Sequence, residues 1–135
     1  MGLTMEAIKI ESLEDIFRHS RGEIEGQEIR TIEVEALVDT GAHYLALHRK
    51  HIDRLGLQFM HTRMIRTVGK TTAMGIYNGI VYTLLGRPGT GHVVEIPEDT
   101  MPLIGVLVLE DLDLLVDPKS QRLIPRDPEQ HVNLL

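Results

Sequence analysis

Asp39 stands in the string Ala36-Leu37-Val38-Asp39-Thr40-Gly41-Ala42, directly after an alternating apolar run, and the chain has no second copy of it. Two carboxylates held together share a proton, and such a pair can take a proton from a water molecule and return one to a leaving group. One carboxylate alone cannot. A chain with half of the pair points to a twin, with one Asp39 contributed by each of two subunits. Asp-Thr-Gly is also an ordinary turn, because Asp can bond the backbone two residues on and Gly accepts positive φ. Its setting is more informative than the triplet. An apolar strand delivers the carboxylate to a buried position, and small residues follow, leaving room for a substrate backbone.

The elements that position Asp39 read as many short strands. Ala7 to Ile10 alternates as a strand, and Ser12 precedes a helical turn over Leu13 to Phe17 as its N-cap. Gly22 to Glu28 is polar and reads as a loop. Ile32, Val34, Ala36 and Val38 alternate with Thr31, Glu33 and Glu35, the period of a half-buried strand ending at Asp39. His48 to Leu55 is a helix closed by Gly56. Thr62 to Val68 and Ile76 to Leu85 form a long hairpin around the small residues Gly69, Thr71, Thr72, Ala73 and Gly75. Gly86, Pro88, Gly89 and Gly91 predict a turn before a strand over His92 to Ile96, and Pro97 to Pro102 a loop. Leu103-Ile104-Gly105 is a tight apolar segment leading into a helix over Val106 to Leu112. Leu114 to Val116 and Arg122 to Ile124 predict two strands joined by a turn at Asp117 to Ser120. No internal repeat is visible, so the chain is not two fused lobes.

Two well-separated segments resemble the retropepsins, the single-lobe aspartic peptidases that include the retroviral proteases and soluble bacterial relatives. The first is ALVDTGA, residues 36–42; the second is PLIGVLVLEDLDLLVDP, residues 102–118. The resemblance spans roughly residues 29 to 125. It implies a mainly β, closed barrel or sandwich with one or two short helices, homodimeric, with the active site at the two-fold interface. By the same resemblance, Asp39 is catalytic and Thr40 sends its hydroxyl across the interface to hold the two loops rigid. Gly41 leaves its backbone free for substrate, and Ala42 completes the loop. Residues 69–79 take the place of the flap hairpin, with Gly69, Ala73, Met74 and Gly75 at a tip that closes over an extended peptide. Ala73-Met74 departs from the glycine-rich tip of the retroviral enzymes, and His43 stands where those usually have an acidic residue. Leu103, Ile104 and Gly105 form the second apolar-apolar-Gly segment; with Ile76, the first two supply aliphatic pocket material, which favours apolar side chains beside the cut bond.

Composition narrows the alternatives. At 135 residues the chain is one domain able to bury about two-thirds of its unfolded surface. Residues 1–28 read as an N-terminal strand and loop extension, 29–125 as the core, and 126–135 as a polar, loose tail. Beginning at Met1, it reads as self-contained rather than cut from a precursor. Two phenylalanines and no tryptophan leave an aliphatic core, and the absence of cysteine fits a reducing compartment. No stretch reaches the roughly 18 apolar residues of a membrane span, so the expected address is the cytoplasm. With net charge −6 and scattered Arg49, Lys50, Arg54, Arg63, Arg66 and Lys70, the chain lacks the basic, aromatic-interleaved face of a nucleic-acid binder.

Two further signals are set aside. Gly69-Lys70-Thr71 imitates the end of a phosphate loop but has Met64 where the first glycine belongs. His48 and His51, three apart with His43 nearby, invite zinc but lack a third or fourth ligand; neither a metal nor a cofactor is expected. The reading is an aspartic endopeptidase acting on a peptide or protein substrate. Its rivals are a catalytically weak peptide-binding or assembly module with the same fold, and an autoprocessing piece of a precursor.

Overall fold

The computed structural model describes residues 4–129 and 131. Strand β1 (Thr4–Ser12) leads into helix α1 (Leu13–Ser20), whose N-cap Ser12 accepts the amide of Asp15. A 3-10 turn at Gly26–Glu28 precedes β2 (Thr31–Val38). Then come β3 (Leu45–His48), α2 (Arg49–Leu55), β4 (Gln58–Thr67), β5 (Lys70–Leu84) and β6 (Arg87–Ile96). The chain closes with β7 (Leu103–Ile104), α3 (Val106–Asp111), β8 (Leu114–Asp117) and β9 (Arg122–Pro125). Among the described residues the fold is mainly β, with three short α-helices rather than one or two.

Seven strands form a mixed sheet in the order β1-β2-β7-β3-β6-β5-β4, and a further β1–β5 pairing bends it into a ring. The closure falls short of a continuous barrel. β7 joins the ring through two register pairs to β2 and one to β3. β5 is long enough for two roles. Its C-terminal half pairs with β1 from Ile80 to Thr83, while its N-terminal half pairs with β4 and leaves the ring. β8 and β9 form a separate hairpin, to which Thr4 Oγ1 donates at Gln121 O (2.7 Å).

Apolar alternation explains most of these strands. Along β2, Ile32, Val34, Ala36 and Val38 are buried and Thr31, Glu33 and Glu35 exposed. They meet Ile8 and Ile10 of β1, and Leu45, Leu47, Ile52, Leu55, Ile80, Leu84 and Ile104, in the main core. β1 is therefore a full strand of the sheet from Thr4, longer than the Ala7 to Ile10 read from the sequence, because both its edges are paired. β3 has no counterpart among the sequence-derived strands. Leu45, Ala46 and Leu47 are all buried, so the run lacks the alternation by which a half-buried strand is recognised.

Two turns fall elsewhere than expected. The β5–β6 turn is Leu85-Gly86 alone, and Pro88, Gly89 and Gly91 lie within β6, where the Tyr82 ring crosses the two glycines. The β4–β5 turn is Val68-Gly69, flanked by the Thr67–Lys70 pair. Gly69 has φ +80°, a conformation that a two-residue hairpin turn requires and glycine takes without cost. Ala73, Met74 and Gly75 are strand residues opposite Met64, Arg63 and Thr62, so of the four residues expected at the tip only Gly69 is there. Thr71 and Thr72 continue the alternating ladder, which a reading based on small residues takes for loop. At the C-terminus Arg126 is anchored, its guanidinium on Asp113 (2.6 Å); residues 130 and 132–135 of the expected loose tail lie outside the described residues.

Candidate active site

The Asp39 loop is built from two distant segments. Where β2 ends, Leu37 N–H donates to Pro102 O (2.9 Å) and Asp39 N–H to Ile104 O (3.0 Å), so β7 lies alongside in parallel register. The loop then turns, with Ala42 N–H donating to Asp39 O (3.0 Å) and Gly41 N–H to Asp39 Oδ1 (2.9 Å). This is the Asx bonding that an Asp-x-Gly turn supplies, and it orients the carboxylate.

Helix α3 completes the support. The first amide groups of a helix have no partner within it. Here Val106 N–H donates to Ala42 O (2.9 Å) and Leu107 N–H to His43 O (3.1 Å). Gly105 makes that approach possible. A β-carbon there would stand 2.5 Å from Tyr44 O and 2.6 Å from the His43 carbonyl carbon, both backbone atoms that cannot move aside. The segments 36–42 and 102–105 are thus one locked unit.

Asp39 is half-buried at the edge of a groove of about 1,250 Å³. Below it lies an apolar floor of Ala46, Val94 and Ile96, with Tyr44, Ile65, Met74 and Leu103 packed against it. The projecting half of the β4–β5 hairpin forms the other wall through Arg63, Ile65, Thr72 and Met74. Strand alternation sorts the expected site residues. Met74 and Leu103 line the groove, while Ile104, one residue on, points into the main core. Gly69, Ala73, Gly75 and Ile76 are not groove-lining; Ile76 is buried in the apolar cluster with Ala46, Val94 and Ile96 and borders a smaller cavity. Thr40 and Gly41 are exposed on the outer rim of the loop, and Thr40 makes no side-chain hydrogen bond among the described residues.

Aromatic and imidazole rings mark one end of the groove. His43 meets Tyr44 edge-on (centroids 4.8 Å apart), and Tyr44 meets His92 at 5.4 Å. Burial, and then the nearby charges of Arg63, His61 and His43, hold the His92 imidazole below its ordinary value. Tyr44 and His92 escaped the sequence reading: a lone aromatic and a lone histidine carry no spacing signal, and only the pairing of β3 with β6 brings them together. The other histidines lie apart. His48, at the end of β3, stacks at 5.5 Å on His51 of α2, with His48 Nε2 engaged by Thr100 O. Among the described residues no group of three or more His, Asp or Glu side chains is placed to hold a metal ion, and no helix is long and apolar enough to cross a membrane.

Residues 21–84 match the family model described as Aspartyl protease. No curated protein matches the chain. The matched stretch takes in β2, the Asp39 loop and the whole β4–β5 hairpin, while the β7–α3 segment that braces the loop lies beyond it. Residues 21–84, just under half of the chain, thus carry the retropepsin-like signature of the aspartyl protease family.

Proposed function

We propose that two copies of this chain associate to form one aspartic endopeptidase site, with Asp39 of each subunit facing the other across a two-fold axis. The observation that carries the reading is the Asp39 loop, presented at the rim of an open apolar groove and braced by backbone hydrogen bonds from β7 and α3. Such bracing holds a carboxylate in place before substrate arrives, and pre-set geometry is what acid–base chemistry requires. The exposed Thr40 and Gly41 rim is the part of the loop that a second subunit can reach.

In the dimer, two carboxylates about 3 Å apart cannot both ionise easily, so the pair keeps one proton. Its two titrations belong to the pair and not to either Asp39. The ionised member takes a proton from the water held between them, and that water attacks the peptide carbonyl carbon. The protonated member hydrogen-bonds to the carbonyl oxygen and later protonates the departing amine. The substrate lies extended in the groove, its backbone adding to strand edges and its apolar side chains resting on Ala46, Val94, Ile96 and Leu103. The β4–β5 hairpin serves as the flap, excluding water from the reacting centre.

Asp39→Asn removes the ionisable pair and retains the fold. Incubating wild-type and variant proteins with a diverse peptide library is expected to give cleavage by the wild type and at least a thousandfold less by the variant. Cleavage that persists in the variant rejects the dyad. A wild type that binds peptides but cleaves none between about pH 3 and 8 supports the peptide-binding module instead.

A further inference from the structure

Next to the groove lies a second, smaller cavity of about 120 Å³, lined by Met60, His61, Arg63, Ile76, Asn78 and His92. Arg63 borders both spaces, so the cavity adjoins the groove. No carboxylate lines it. Among the described residues six of the chain's 14 Lys and Arg side chains form ion pairs with carboxylates. Arg30, Arg49 and Arg126 each pair with an aspartate, whereas Arg63 has no ion-pair partner among the described residues. Three elements converge on the place: β4 supplies His61 and Arg63, β6 supplies His92, and the loop after β2 supplies His43 close by. Burial first, and then the positive neighbours Arg63, His61 and His43, hold the His92 imidazole below its ordinary value. Asn78 adds a neutral amide that can donate alongside them.

We propose that this cavity is a subsite for a carboxylate of the bound peptide, borne by an acidic side chain or by the end of its chain. The inference rests on the groove being the peptide site. Arg63 offers a planar fork matched to a carboxylate, and His61 and His92 each offer a ring N–H donor. The apolar floor accepts the residues beside the cut bond, and the cationic end fixes where along the peptide the cut falls. Specificity then comes from one charged anchor at a set distance from an apolar pair.

The test is a peptide series sharing one apolar–apolar cut site, with Glu, Gln or Lys placed at each flanking position in turn. The neutral parent is made with a free and with an amidated carboxyl terminus, which tells a side chain from a chain end. At one position, or at the free terminus, the carboxylate is expected to raise kcat/KM about tenfold over its neutral counterpart, with Lys lower than Gln. In Arg63→Gln that ratio is expected to fall to within about twofold, and Arg63→Lys to restore part of it. Equal rates for Glu, Gln and free or amidated termini at every position, in an enzyme that does cleave, overturn the subsite and leave the protease reading standing. Fluorescence anisotropy of the same peptides on Asp39→Asn protein separates the two claims. Tighter binding of the carboxylate peptides with no wild-type turnover supports the subsite while the hydrolytic role fails.

Discussion

Asp39 and its turn were legible from residue types because the chemistry is local: an Asx bond needs only Asp, a spacer and Gly. Asp15 was not. Nothing in the helical turn around it signals that a carboxylate 1% exposed would accept Arg30 N–H (2.9 Å), Nε (2.7 Å) and Nη2 (2.9 Å) at once. These bonds tie α1 to the start of β2, and the Arg30 guanidinium also lies against Gly56, the C-cap of α2. Hydrogen bonding to Arg30 outweighs burial and holds the Asp15 carboxyl below its ordinary value of 3.8. A carboxylate lowered in the folded state stabilises fully above that ordinary value, and its contribution is lost as pH falls through the lowered one. Asp15→Asn is therefore expected to cost about 2 kcal/mol at pH 7, since Arg30 is partly solvated. The gap to wild type should close in strongly acid solution. Denaturant unfolding at pH 7 and near pH 2 checks this; an equal gap at both rules out the charge as the cause.

At the scale of elements, β2, α2 and α3 carry periodic patterns or end signals and fall close to where the sequence puts them. What sequence could not supply is pairing. β3 is too uniformly buried to alternate, and the reach of β4 and β5 to a two-residue turn is hidden because their projecting halves have no core to face. The same holds for the brace between α3 and the Asp39 loop, which joins residues more than sixty apart. Its sensitive point is Gly105. Gly105→Ala drives a methyl group into the His43–Tyr44 backbone and is expected to destabilise by about 1–3 kcal/mol, lowering Tm by several degrees. The displaced loop carries Asp39 with it, so kcat should fall as well. A thermal melt and a turnover assay on the same preparation read both effects, and an unchanged Tm would show that the backbone yields freely there.

For the molecule as a whole, the proposed dyad, with one Asp39 per chain, makes assembly the decisive property. Turnover is expected to depend on subunit association, so specific activity should drop steeply on dilution through the dimer dissociation constant and recover on concentration. Sedimentation at matched concentrations supplies that constant independently. Constant specific activity down to concentrations where sedimentation finds only monomer would mean that one chain suffices. The ring itself sets another condition. β5 runs unbroken from the hairpin turn at Lys70 to Leu84 in the wall, and the ladder slips only near the hairpin base, between Phe59 and His61 on one strand and Asn78 and Ile80 on the other. Projecting hairpin and wall are therefore a single beam with its joints at the foot. If the hairpin closes over a polypeptide as proposed, the gripped chain is expected to stiffen the shell behind it, and heat that loosens the shell to slacken the grip.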